Sequence, residues 1–431
     1  MGLNIGIGRE IITPDIGGLL FGYNNHTRSD SVLDDLDVTA LLMKSENTSA
    51  LLISFTVCLI HDTLVKEISE KAAAIAGIPA SNIIVSATHT HSGPPTTRFS
   101  GFTSFGDIDH EYVNKIFMPK CLEAVKTAAA NMKSVKVGIG TTHSTVGINR
   151  RQLLKDNTVI LGNNPWDHYD PTMTVISFVG ADDKKPIANV IHVGAHCTAI
   201  GNTHEITRDW AGVMVDRVEA QTGAMTMFIN GTLGDVAPRM ANSDSIGDLK
   251  LMKEVGGLAG IDAMRAFNTI KAYYDEPLQV VCGGLEVPFV PPIPKEDAAT
   301  MLAACGEWDR FKRTSLTTLL KMYDDGDPGP ESLCYSQVLF RIGPVVLVPY
   351  PFEVSSEIGL RLRNYSPFAH TLTMSCTNGS HSYLPAQSQI CRGGYEIDSF
   401  RWFRPRQMPD NADFLLIEQN LKLIGQLKEV V

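Results

Sequence analysis

Asn82-Ile-Ile-Val-Ser-Ala-Thr-His89-Thr-His91-Ser-Gly-Pro-Pro95 is a β-branched, apolar run that stops in two histidines and a Gly-Pro breaker. Ile83, Ile84 and Val85 favour a strand, while Gly93, Pro94 and Pro95 cannot continue a ladder. The histidines therefore fall at the carboxyl end of a buried strand. Spaced by two, their imidazoles share one face. Neutral imidazole is the commonest protein ligand to a metal, so the pair reads either as ligands or as a satisfied structural pair.

The same layout recurs along the chain. Ile187–Ala195 is a second apolar strand, and it runs into His196. Ala224–Asn230 ends in Gly231-Thr-Leu-Gly-Asp-Val-Ala-Pro238, a tight loop whose backbone can approach a ligand closely. Pro344–Pro349 is followed by Glu353, and Thr371–Thr377 by a loop with Tyr383 and Tyr395. In open α/β sheets ligands bind at the carboxyl ends of strands. Two histidines and a carboxylate make a catalytic zinc set with one position open for water, which supports a metal-activated hydroxide. A tyrosine is not a fourth ligand that these rules would choose. Arg150, after a short strand, reads by itself as a surface charge, and His61 as an ordinary helix histidine.

Helical spacing between these strands, as in Leu59–Ala76 and Thr207–Val218, predicts an α/β fold. The expected core is a mixed β-sheet flanked by helices, with the metal site at the carboxyl ends of strands. Pro291-Pro-Ile-Pro294 is a stiff connector and marks a sub-domain boundary within one domain over 1–431. A polar, aromatic insert at Phe99–Asp109 is placed to form a pocket wall. No internal repeat is evident.

A chain of 431 residues with 44% hydrophobic residues can bury a large core, and its net charge of −10 argues against nucleic acid or an anionic membrane as main partner. Arg9, Glu10, Pro14 and Asp15 interrupt any apolar N-terminal run, so neither a signal peptide nor a transmembrane segment is expected, and the cytoplasm is the expected location. The eight cysteines lack any Cys-x-x-Cys spacing and read mostly as reduced core residues.

Ala87-Thr-His-Thr-His-Ser-Gly-Pro94, Ile148-Asn-Arg150, His196-Cys-Thr198, Asn230–Pro238 and Pro351-Phe-Glu353 resemble, in order, motifs of the neutral (alkaline, non-lysosomal) ceramidase family. The likeness extends from Ile5-Gly-Ile-Gly-Arg9 and Phe21-Gly-Tyr23 to Tyr395-Glu-Ile-Asp-Ser399. It implies that His89, His196, Glu353 and Tyr383 bind one catalytic Zn²⁺. By the same resemblance His91 is a catalytic group beside the ligands, Arg150 lies near the reaction centre, and Tyr395 supports the developing oxyanion. Gly234, Asp235 and Ala237 fall on a loop that approaches substrate, with Ala237 where the family has a serine. The implied activity is a hydrolase of sphingolipid type, cleaving ceramide or a related N-acyl amine with zinc-activated water. The alternative is a non-catalytic or differently specific metal-binding module on that scaffold. Secreted ceramidases carry a C-terminal immunoglobulin-like domain, and none is expected here.

Overall fold

The computed structural model describes residues 2–23, 26–98, 107–239, 247–307 and 309–427. Most of the insert at Phe99–Asp109 lies outside them. Eight strands form one mixed sheet: β1 Leu3–Ile11, β2 Asp37–Lys44, β3 Ser49–Phe55, β4 Ile83–Ala87, β5 Lys133–His143, β6 Thr172–Gly180, β7 Pro186–Val193 and β8 Met225–Asn230. Their order is β8-β7-β6-β5-β1-β2-β3-β4. The outermost pairs, β3 with β4 and β7 with β8, are parallel, and the rest are antiparallel. A second sheet, unforeseen from sequence, holds β9 Leu278–Pro288, β10 Ser332–Ile342, β11 Val345–Pro349 and β12 His370–Met374 in sequential order.

Alternation of side chains along each strand builds four layers. Val38, Ala40 and Leu42 of β2 point to helices α1 (Asp62–Ala76) and α2 (Met118–Ala130), whereas Leu41 and Met43 point to Phe340, Leu347 and Leu372 of the second sheet. At the other half, Val175 and Ile191 meet α3 (Asp209–Thr222) and α4 (Leu249–Asn268). Two helices follow on the segment after Pro294, α5 (Lys295–Ala303) and α6 (Arg310–Asp325). The outer face of the second sheet, through Leu339, Val346 and Val348, is covered by α7 (Ser356–Tyr365), α8 (Tyr395–Trp402) and α9 (Ala412–Ile424). The connector at 291–294 joins two strands of one sheet, because β9 before it pairs with β10 after it from Leu278↔Ile342 to Pro288↔Ser332.

The large sheet contains an internal repeat, contrary to the reading from sequence. β1-β2-β3-α1-β4-α2 and β5-β6-β7-α3-β8-α4 share one plan: three antiparallel strands, a helix, a strand parallel to the third, and a second helix. The halves meet where β1 and β5 pair antiparallel, at Leu3↔Val135 and Ile5↔Lys133. Both copies open with Gly-Ile-Gly for one steric reason. A Cβ on Gly6 would lie 1.8 Å from the Ala128 carbonyl of α2, and one on Gly140 would lie 1.9 Å from the Ala266 carbonyl of α4.

Several local expectations are corrected. The first helix begins at Asp62, and His61 is its N-cap, accepting from the Thr63 amide. Arg150 is 1% exposed and is no surface charge. All eight cysteines are free. Cys58, Cys121, Cys197 and Cys376 are buried, but Cys282, Cys334 and Cys391 are exposed.

Candidate metal centre

His89 follows β4 and His196 follows β7, so both lie just past strand ends on the same sheet. His89 is held at φ 70°, a region sparsely used by residues with a side chain, while its amide donates to the Val57 carbonyl at 2.9 Å. Glu353 and Tyr383 come from the second sheet's side of the molecule. They face each other across a two-residue parallel pairing, Glu353–Val354 with Tyr383–Leu384, and the Glu353 amide donates to the Ser382 carbonyl.

The four side chains converge. Glu353 Oε2 lies 3.1 Å from His196 Nε2 and 3.5 Å from His89 Nε2. His89, His196 and Glu353 form a group whose ligand atoms all lie within 4.8 Å of one another, and all three are buried. The remaining ring nitrogens decide the tautomers. His89 Nδ1 is 2.9 Å from the Cys58 carbonyl, and His196 Nδ1 is 3.0 Å from the Val236 carbonyl. A carbonyl only accepts, so each Nδ1 carries a proton and each Nε2 faces the cluster, where it donates to Glu353 when protonated and offers a lone pair to a metal when not. Burial pushes the Glu353 carboxyl up, but His89 and His196 outweigh it and hold the group well below the usual carboxylate range. Two imidazole lone pairs and a carboxylate facing one another suit a divalent cation, and the set fits zinc.

Tyr383 completes the wall. Its hydroxyl bonds Glu353 and accepts from Arg150 Nη2 at 3.0 Å. Burial first, then the Glu353 charge, hold the phenol well above its ordinary value. Arg150 also places Nη1 3.0 Å from His196 Nε2. A buried guanidinium requires an anion, and Glu396 provides it: Oε1 accepts from Arg150 Nε at 2.8 Å, while Oε2 pairs with Arg151. Tyr395, adjacent to Glu396 at the start of α8, sets its ring edge-on to Tyr383 with centroids 5.5 Å apart and is 38% exposed.

His91 Nε2 is 3.3 Å from His89 Nε2, and its Nδ1 is buried with no hydrogen-bond partner. Burial first, then the charges of His89 and His196, hold His91 well below the usual imidazole value, so it is neutral at neutral pH. Cys58, His89 and His91 make a second, overlapping group with metal-ligand spacing. The Tyr23 ring meets His91 edge-on at 4.7 Å, and Gly22, at φ +130°, has no room for a Cβ, which would sit 2.4 Å from the His91 ring.

Gly234, Asp235 and Ala237, expected on a loop that approaches substrate, are buried and brace the centre. The Gly234 amide donates to the Val354 carbonyl, the Asp235 carbonyl accepts from the Arg150 amide, and Ala237 pairs with Ile148. Asp235 Oδ1 accepts from both the amide and hydroxyl of Ser356. Burial pushes this carboxyl up to about 6.

Asn230, a strand-end polar group already conspicuous in the sequence, completes the surroundings with Glu396 and Tyr23, which had no assigned role from sequence. Asn230 Nδ2 donates to the Thr88 and Ala195 carbonyls, each at 2.9 Å, tying together the residues that precede His89 and His196. All three lie within stretches quoted above, Asn230–Pro238, Phe21–Tyr23 and Tyr395–Ser399. The signal was their place beside candidate site residues.

Layers and donors together define an α/β protein with a candidate metal centre at the carboxyl ends of its strands. Residues 3–249, over half of the chain, match the family model described as neutral/alkaline non-lysosomal ceramidase, N-terminal. The chain belongs to that family. It is 27% identical over 174 residues to neutral ceramidase A of Dictyostelium discoideum, covering 38% of this chain and 24% of that protein. Against neutral ceramidase B of the same organism it is 26% identical over 216 residues, covering 46% and 30%. The matched segments thus span under a third of these relatives. The fold is similar to the crystal structure of neutral ceramidase from Pseudomonas aeruginosa, with TM-score 0.77 and 17% identity over 100% of this chain and 76% of that one. It is also similar to a ceramidase complexed with C2, with TM-score 0.75 and 15% identity over 98% and 75%. Among the described residues, no helix is long and apolar enough to cross a membrane.

Proposed function

We propose that the chain is a zinc-dependent hydrolase of N-acyl amides, with ceramide or a smaller N-acyl amine as substrate. The observation that carries this reading is the pair of pinned tautomers, which point His89 Nε2 and His196 Nε2 at the Glu353 carboxylate, with the Tyr383 hydroxyl bonded to the same carboxylate. A zinc ion bound by these four residues would supply Lewis-acid activation of a water and of the scissile carbonyl. The chain's own groups perform the remaining work. His91, neutral and beside His89, takes a proton from the attacking water and passes it to the leaving amine. Arg150, fixed by Glu396, and Tyr395, at the exposed rim, stabilise the negative charge that develops on the carbonyl oxygen. Ala237 offers no hydroxyl, and this chemistry does not require one.

The test is metal content. Purified protein should hold one zinc per chain, and His196→Ala should hold almost none while remaining folded. Wild-type protein without stoichiometric metal, or His196→Ala binding zinc as well as wild type, would show the ligand assignment to be wrong.

A further inference from the structure

A cavity of about 270 Å³ is lined by the start of α1, the segment after His91, α6 and the loops around His381 and Arg404. In a chain of net charge −10 its lining is cationic. Arg404 donates through Nη2 to His381 Nδ1 at 2.9 Å and to the His381 carbonyl at 3.1 Å. Its Nη1 is buried and has no hydrogen-bond partner, and the same holds for Ser380 Oγ in the same cavity. Arg98 adds a second guanidinium, and Thr314 and Thr318 also line the cavity.

The carboxylates nearby are committed elsewhere. Asp62 pairs through Oδ2 with His381 Nε2 at 2.9 Å and accepts the Ser380 amide on Oδ1. Asp107, which acts on His61, accepts the Ile108 amide. Among the described residues neither Arg98 nor Arg404 forms an ion pair with a carboxylate. Burying a guanidinium without a direct anionic partner is expensive: burial pulls Arg404 down to about 10, and the Asp62 charge offsets this only in part. A guanidinium N–H and a hydroxyl left without partners, beside a second guanidinium, match the several acceptor oxygens of a phosphate group.

We propose that this cavity binds a phosphate-type oxyanion, free or at the end of a small organic phosphate, through Arg404 Nη1, Ser380 Oγ and Arg98. The volume is just below that of ordinary small-molecule pockets, about 300 Å³ and upward, so it accommodates more than a bare ion. The site is separate from the proposed reaction and does not depend on it.

Calorimetric titration of the full chain with inorganic phosphate, and in parallel with glycerol 3-phosphate at matched ionic strength, tests the proposal. Saturable binding is expected, with the tighter of the two ligands identifying the occupant as free or organic phosphate. Loss of a charge-assisted contact in Arg404→Gln should weaken binding by about 10- to 100-fold. Arg98→Gln and Ser380→Ala should each weaken it less, and they carry the test if Arg404→Gln fails to fold by circular dichroism. His196→Ala should bind phosphate like wild type, which separates this site from phosphate on zinc. No saturable binding of either ligand, unchanged affinity in the folded cavity variants, or loss of binding in His196→Ala would overturn the proposal.

Discussion

Tyr395 stands at the rim of the centre, edge-on to Tyr383. Its proposed role is charge stabilisation, so Tyr395→Phe should lower kcat by about 10²- to 10³-fold while zinc content is unchanged. Full activity in that variant would remove the role. Asp235 gives a prediction in pH. Its folded value of about 6 lies above the ordinary 3.8, so the folded state binds more protons than the unfolded state between those values. Stability from this group is fully present below the unfolded pKa and is lost as pH rises through about 6. Asp235→Asn keeps an acceptor for Ser356 and removes the charge. The denaturation midpoint of the variant should therefore fall less between pH 4 and pH 6 than that of wild type, and an identical pH slope would contradict the assignment. At this scale the sequence displayed the donors, because two histidines and a glutamate past strand ends are chemically conspicuous. It could not display the burial of Arg150, whose stabilising partner Glu396 is 246 residues away in the chain.

The strands that carry those donors were legible because each is a compact apolar run closed by glycine or proline, as at Ile83–Ala87 and Pro186–Val193. Neighbouring strands joined by a short turn were legible as pairs, as at Asp37–Lys44 with Ser49–Phe55, but distant pairings were not: β1 joins β5 across more than a hundred residues, and the second sheet stacks on the first through side chains drawn from both. The repeat left a trace in Leu3-Asn-Ile-Gly-Ile-Gly8 and Val135-Lys-Val-Gly-Ile-Gly140 that passes unnoticed until Gly6 and Gly140 are seen under helices. This contact makes a prediction. In Gly6→Ala the new methyl meets a backbone carbonyl that cannot rotate away, so the variant should lose about 1–3 kcal/mol of stability. Gly257→Ala, inside α4 with nothing within 4 Å of its Cβ, should instead gain about 0.5–1 kcal/mol. Equal denaturation midpoints for the two variants would show that the helix does not press on β1 as described.

Across the whole molecule, the centre exists only because two sheets are stacked. His89 and His196 leave the large sheet, Glu353 and Tyr383 leave the small one, and Asn230 and Glu396 brace the two contributions. Residues before and after 291–294 are both required, although the connector reads as a boundary in the sequence. The central claim, that this assembly hydrolyses an amide with zinc, is tested most directly by incubating zinc-loaded protein with N-acyl sphingosines of short and long chain and with soluble N-acyl amines, beside His196→Ala, while following release of free fatty acid. Amide cleavage by the wild type that disappears in His196→Ala is the predicted result; refusal of every amide with cleavage of esters or phosphoesters, or undiminished cleavage by His196→Ala, would contradict it.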